Sequence, residues 1–173
     1  MKRRLSTLSL LIISVLLLLP SVALAQKGEK SVGLRAGFTT RETTAAAGLY
    51  FSYRFSEHFR LSPKVDYAFR HNGTDAFSFN FDAEVPVALN QTSSVIFYPI
   101  GGLNYSTFST HSQIVDEETT LDSSERSNHF GLNLGAGIEY RPTPTLRLAF
   151  ESKCQLIKQN TGGWFTLSLG YIF

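Results

Sequence analysis

One cysteine, one tryptophan and one methionine stand among 173 residues, and charged residues make up only 17%. Cys154 alone cannot close an internal disulfide, so in an oxidising compartment stability must come from the fold itself. Beyond the N-terminal segment no stretch is apolar enough to cross a bilayer as a helix, which needs about 20 residues. If the chain enters a membrane, it must do so as strands. His and Cys show no metal-ligand spacing, no phosphate-cradling glycine motif occurs, and 16 basic residues nearly balance 14 acidic ones. These absences predict no metal, no cofactor and no nucleic-acid partner.

What is present begins with an export signal. Lys2, Arg3 and Arg4 precede a mostly apolar run from Leu8 to Leu19, then Pro20, then Ala23-Leu24-Ala25 before Gln26. That order is the one expected of a cleaved signal peptide over residues 1–25, because the run is too short for a retained membrane helix. No cysteine lies near Gln26 to take a lipid anchor. The remaining residues, 26–173, then carry 13 Lys and Arg against 14 Asp and Glu.

From Val32 onward the chain alternates apolar and polar residues, the period of a half-buried strand. Phe130, Leu132, Leu134, Ala136, Ile138 and Tyr140 interleave with Gly131, Asn133, Gly135, Gly137, Glu139 and Arg141. Strands are predicted near 31–38, 45–55, 59–70, 75–89, 94–107, 128–141, 145–157 and 163–173. Most reach the roughly 9 to 11 residues that a tilted strand needs to cross a bilayer, whereas soluble strands average about 5 or 6. One set of connections is short: 56–58, 90–93 and 142–144. The other is more variable, comprising 39–44, 71–74, the twenty residues from Phe108 to Ser127, and 158–162. Short turns at one end and longer loops at the other suit a bacterial outer-membrane barrel, with turns facing the periplasm.

Alternation alone does not tell such a barrel from a soluble lipocalin-like one with an apolar interior. Volume does. Eighteen aromatics share the greasy face, and an eight-stranded lumen has room only for a filling of side chains or one small ligand. They are therefore expected outside. Phe55, Phe59, Tyr140, Tyr171 and Phe173 fall at the turn ends, and Phe38, Phe69, Phe77, Tyr105, Phe130 and Phe165 at the loop ends, as two interfacial girdles. The opposite face carries Arg35, Arg54, Arg60, Lys64, Asp66, Arg70, Asp82, Glu84, Glu139, Arg141, Arg147, Glu151 and Lys153. A midplane Arg or Lys on lipid costs about 2 to 4 kcal/mol, so these charges are expected inside as a paired polar plug.

On strand count, loop asymmetry and the terminal Tyr171-Ile172-Phe173, the chain resembles the small eight-stranded outer-membrane proteins of Gram-negative bacteria, the opacity-protein and porin-like β-barrel family of the outer membrane protein X type. The resemblance implies an all-β, antiparallel up-and-down transmembrane barrel in the outer membrane. It implies contact with outer-membrane lipid and lipopolysaccharide, and recognition of Tyr171 and Phe173 by the barrel assembly machinery, although Ser168 stands where the family's motif often has glycine. The function expected is non-enzymatic: surface contact or envelope integrity. Asp116, Glu117, Glu118, Asp122 and Glu125 make the longest loop the candidate contact site. Transport of a small or apolar molecule is the alternative, with Pro99, Gly101 and Gly102 marking a bulge or, as favoured, a harmless kink. A lipid-modifying enzyme is disfavoured, because His58, His71, His111 and His129 form no alternating pair with a serine on the lipid face.

Overall fold

The computed structural model describes residues 28–41, 43–89, 94–116, 119–158 and 161–173, and for 111–124 the backbone alone. The expected signal peptide lies outside the described residues, as do Glu117 and Glu118.

Eight long strands follow one another: β1 (Lys30–Thr39), β2 (Thr44–Ser56), β3 (Phe59–His71), β4 (Thr74–Glu84), β5 (Val95–Asp116), β6 (Thr119–Thr143), β7 (Leu146–Ile157) and β8 (Gly162–Ile172). Each pairs antiparallel with the next in sequence, and β1 pairs with β8 from Ser31↔Ile172 to Thr39↔Trp164. The last pairing closes the sheet into a barrel without edges in its wall. Both described ends of the chain meet there, where Lys30 N–H donates to Phe173 O at 3.0 Å and Phe173 N–H to Lys30 O at 2.8 Å.

The predicted strand positions hold to within a few residues except at one place. The segment from Phe108 to Ser127 is not a loop. β5 and β6 pair without a break from Val95↔Tyr140 to Asp116↔Thr119, so the twenty residues continue the ladder as a hairpin. Ser, Thr and charge suggested a solvated loop, and the segment carries no sustained hydrophobic alternation that would mark it as strand.

The loop ends vary, as expected. Between His71 and Thr74 the connection is a two-residue turn, with Asn72 at φ 50° and Gly73 at φ 80°. Positive φ at both central residues is what a tight hairpin matching the strand twist requires, and Asn-Gly supplies it at low cost. Pro99, Gly101 and Gly102 make no bulge in β5, whose register with both neighbours is unshifted there. The break faces them on β4, where Val85 and Pro86 separate Glu84 from a two-residue ladder at Val87–Ala88 in the same register. Pro86 has no N–H to give, and Val85 N–H still reaches Pro99 O at 3.2 Å.

The outer wall is apolar. Phe51, Phe79, Leu103, Leu132 and Leu169 stand exposed on it. Ring pairs gather at its two ends: Tyr53–Phe55, Phe55–Phe59 and Tyr171–Phe173 near the short turns, Tyr67–Phe69 and Tyr105–Phe130 near the other end. Inside, the buried residues are mostly polar, so hydrophobic burial comes from the surrounding lipid and the core is a hydrogen-bonded filling.

Candidate functional site

Alternation aims every second side chain into the lumen, and there the charges stack in layers along the barrel. Nearest the short turns, Glu139 Oε2 takes Arg60 Nη1 and Arg147 Nε at 2.8 Å each, and Glu84 Oε2 takes Arg60 Nε at 2.6 Å. Arg141 binds Glu139 through Nε at 2.5 Å and clamps Glu29 with both terminal nitrogens at 2.7 Å. The Tyr98 ring lies under the Arg60 and Arg147 guanidiniums, at 4.8 and 5.6 Å, and Tyr50 lies 5.0 Å from Arg147. Such stacking partly replaces the water that a buried cation loses.

The next layer centres on Lys64, whose Nζ reaches Asp82 at 3.1 Å, Glu84 at 2.9 Å and Glu151 at 2.9 Å. Three carboxylates match the three donors of an ammonium. Arg35 joins Asp66 at 3.0 Å and Glu151 at 3.1 Å, and Lys153 joins Asp82 at 3.3 Å. Above this lies a layer of amides. Asn80 Oδ1 accepts from Asn104 at 2.8 Å, Asn133 at 2.9 Å and Gln155 at 3.0 Å, while Asn80 Nδ2 donates to Asp66 at 3.0 Å. The far end is apolar: Ala46, Ala68, Ala76, Phe108, Ile157 and Trp164 cluster, and the Arg41 guanidinium sits 4.8 Å over the Phe108 ring.

Glycine makes this filling possible. A Cβ at Gly137 would run into the Tyr98 ring, and one at Gly170 into the Tyr50 hydroxyl. The bare backbone at these two positions is the seat on which the two large lumen rings rest.

Of the thirteen charges expected in the lumen, the structure buries eleven. Arg141 sits partly exposed at the mouth. Arg70 departs from the expectation: its side chain is 56% exposed and turns to Asp75 at 3.5 Å, at the end of β3 where the β3–β4 register is irregular between Ala68 and His71. Sequence reasoning put Asn133 and Trp164 on the polar face without giving them a role, and did not single out Glu29, Tyr50, Tyr98, Asn80, Asn104 and Gln155, all of them lumen contacts. For those within strands parity was the available signal, and attention to charge passed over neutral groups; Glu29 precedes β1 and has no strand parity to read.

The histidines whose side chains are described are scattered. His58 and His71 lie at turns, and His129 packs against Phe108 at 5.7 Å between ring centres. Among the described residues no group of three or more His, Cys, Asp or Glu is placed to hold a metal. Of the candidate contact residues, Glu125 is exposed on β6, and Asp116 and Asp122 lie on the hairpin backbone, where Gln113 pairs with Asp122.

The same architecture recurs in solved structures. The N-terminal β-barrel domain of Pseudomonas aeruginosa OprF is 14% identical with a TM-score of 0.64, covering 85% of this chain and 98% of that one. Ail, the attachment invasion locus protein of Yersinia pestis, is 17% identical with a TM-score of 0.60, covering 85% and 99%. Neisserial surface protein A is 15% identical with a TM-score of 0.60, covering 83% and 94%. At such identities the likeness concerns the fold alone. No curated protein sequence matches the chain. Residues 11–173 match a family defined by an outer-membrane barrel, and the apolar wall, aromatic ends and closed sheet are what that location demands: the chain belongs to the outer membrane protein beta-barrel domain family and is an outer-membrane protein.

Proposed function

We propose that this protein is a non-enzymatic surface-contact barrel whose body braces the outer membrane and whose β5–β6 hairpin meets partners outside the cell. The observation that carries the reading is the hairpin's independence from the wall. β4 leaves β5 after Thr110, and β7 leaves β6 after Gly131, so beyond those points β5 and β6 pair only with each other. From Thr119 to Phe130 one edge of β6 has no strand beside it, and an open edge accepts an added strand through main-chain hydrogen bonds. The names of two structural neighbours, an attachment invasion locus protein and a surface protein, point the same way.

The carboxylates of Asp116, Glu117, Glu118, Asp122 and Glu125 favour a basic partner, or a divalent cation bridging to the phosphates of lipopolysaccharide. The body serves as a plug: lumen charges paired across facing strands, topped by an apolar layer, favour a non-conducting barrel. Tyr171 and Phe173 are the residues the barrel assembly machinery reads during insertion.

The test replaces residues 111–126 with a short Gly-Ser turn. Folding, read as the difference in gel mobility between unboiled and boiled samples, stays intact, while binding to host cells or a protein partner falls. In the parent, added salt weakens that binding. Unchanged binding in the deletion overturns the reading.

A further inference from the structure

At the short-turn mouth, four guanidiniums share three carboxylates among the described residues. Arg60, Arg141 and Arg147 are paired with Glu29, Glu84 and Glu139. Arg54 is not. It is only 2% exposed, and its Nε and Nη2 are buried without a hydrogen-bond partner among the described residues.

Arg54 lies directly opposite Arg60 in the β2–β3 ladder, and Arg60 Nη2 is buried and unpartnered as well. Like charges facing each other across a ladder repel, and a buried guanidinium without a counter-charge is costly. Chance bad packing does not fit the neighbourhood. Gly28 N–H donates to Arg54 O at 2.8 Å and Arg54 N–H to Glu29 O at 2.9 Å, so the chain entering the barrel ties the Arg54 backbone in place. A register irregularity between Arg54 and Ser56 interrupts the ladder beside it before Ser56 pairs with Phe59. The unpartnered pair on Arg54, Nε with Nη2, is the planar fork that takes two oxygens of one carboxylate or phosphate.

We propose that the periplasmic mouth of the barrel binds a small oxyanion, a phosphate or a carboxylate, held by Nε and Nη2 of Arg54 with Nη2 of Arg60 as a third donor. The anion supplies the counter-charge that the four arginines lack and satisfies three buried donors at once. The site lies at the short-turn end of the barrel, away from the outward-facing hairpin.

The experiment uses the folded protein in detergent and follows urea unfolding by the emission of Trp164, the single tryptophan. Inorganic phosphate, acetate and chloride are titrated separately at constant ionic strength, balanced with a bulky sulfonate salt. A ligand bound only by the folded state raises the midpoint saturably. The parent is expected to show that rise with phosphate, acetate or both, and which of them saturates tells the two oxyanions apart. R54Q abolishes it, and R54K, which keeps the charge and loses the fork, raises the half-saturating concentration by about tenfold, as loss of one charge-assisted hydrogen bond implies. R126Q, at the opposite end, leaves the titration unchanged. The proposal is overturned if neither oxyanion gives a saturable rise, if chloride does as well as they do, or if R54Q keeps the parent response. Should R54Q fail to fold, R54K decides: an unchanged half-saturation overturns the fork.

Discussion

Asn133 and Leu134 are neighbours in β6, yet Asn133 is fully buried and donates to Asn80 and Asp82, while Leu134 stands 55% exposed on the outer wall. The same contrast separates Glu151 from Phe150 and Lys64 from Val65. One backbone thus serves two solvents. On the wall a side chain needs only to be apolar and to fit lipid, so neighbours are loosely specified. In the lumen each group needs a partner of the right charge at hydrogen-bond distance, and one change strands several others. The inner face is therefore expected to tolerate substitution less well than the outer.

Four measurements sharpen or break that comparison. Glu151→Ala removes the shared partner of Lys64 and Arg35, leaving charge buried without its match. Unfolding in urea should show a loss of about 3 to 5 kcal/mol; a loss below that of any wall substitution would mean the lumen is wet and forgiving. Leu134→Arg places a cation midway along the lipid-facing part of β6 and should cost about 2 to 4 kcal/mol by the same assay. A neutral outcome there would place Leu134 away from the membrane midplane. Gly137→Val drives a branched side chain into the Tyr98 ring and should cost about 1 to 3 kcal/mol by overpacking. Restoration by Tyr98→Ala in the same chain is part of that expectation, and failure to restore would show that Tyr98 is not the obstacle. The smallest effect on stability belongs to the hairpin. Exchanging 111–126 for a Gly-Ser turn should leave the urea midpoint within about 0.5 kcal/mol of the parent, because those residues pair with no strand of the wall. A large fall would mean that the hairpin buttresses the barrel.

How much of this was legible in advance depended on range. Phe165, Leu167 and Leu169 against Trp164, Thr166 and Ser168 state their two faces within a few residues, since side-chain direction has period two whatever the partner strand. The aromatic excess then excluded a greasy lumen on volume alone. Lys64 and Glu151 lie 87 positions apart, and nothing local in either segment announces their contact. Arg70 has the right parity yet leaves the lumen where the β3–β4 register is irregular, and a register irregularity is a property of two paired strands and not of one. The hairpin of β5 and β6 escaped notice for a related reason: its residues gain their pairing from each other, and the sequence there carries no sustained hydrophobic alternation.

The sequence by itself determined the class: strands long enough to span, apolar outward and polar inward, in a number whose volume leaves the aromatics no place but lipid. Only the tertiary structure decided which charges meet, how they stratify from a salt-bridged mouth through an amide layer to an apolar cap, and that Arg54 is left over. The physical reason is that strand tilt and closure set which residues share a level of the lumen. That stagger is a property of the closed ring, shared by all eight strands and written in none of them alone.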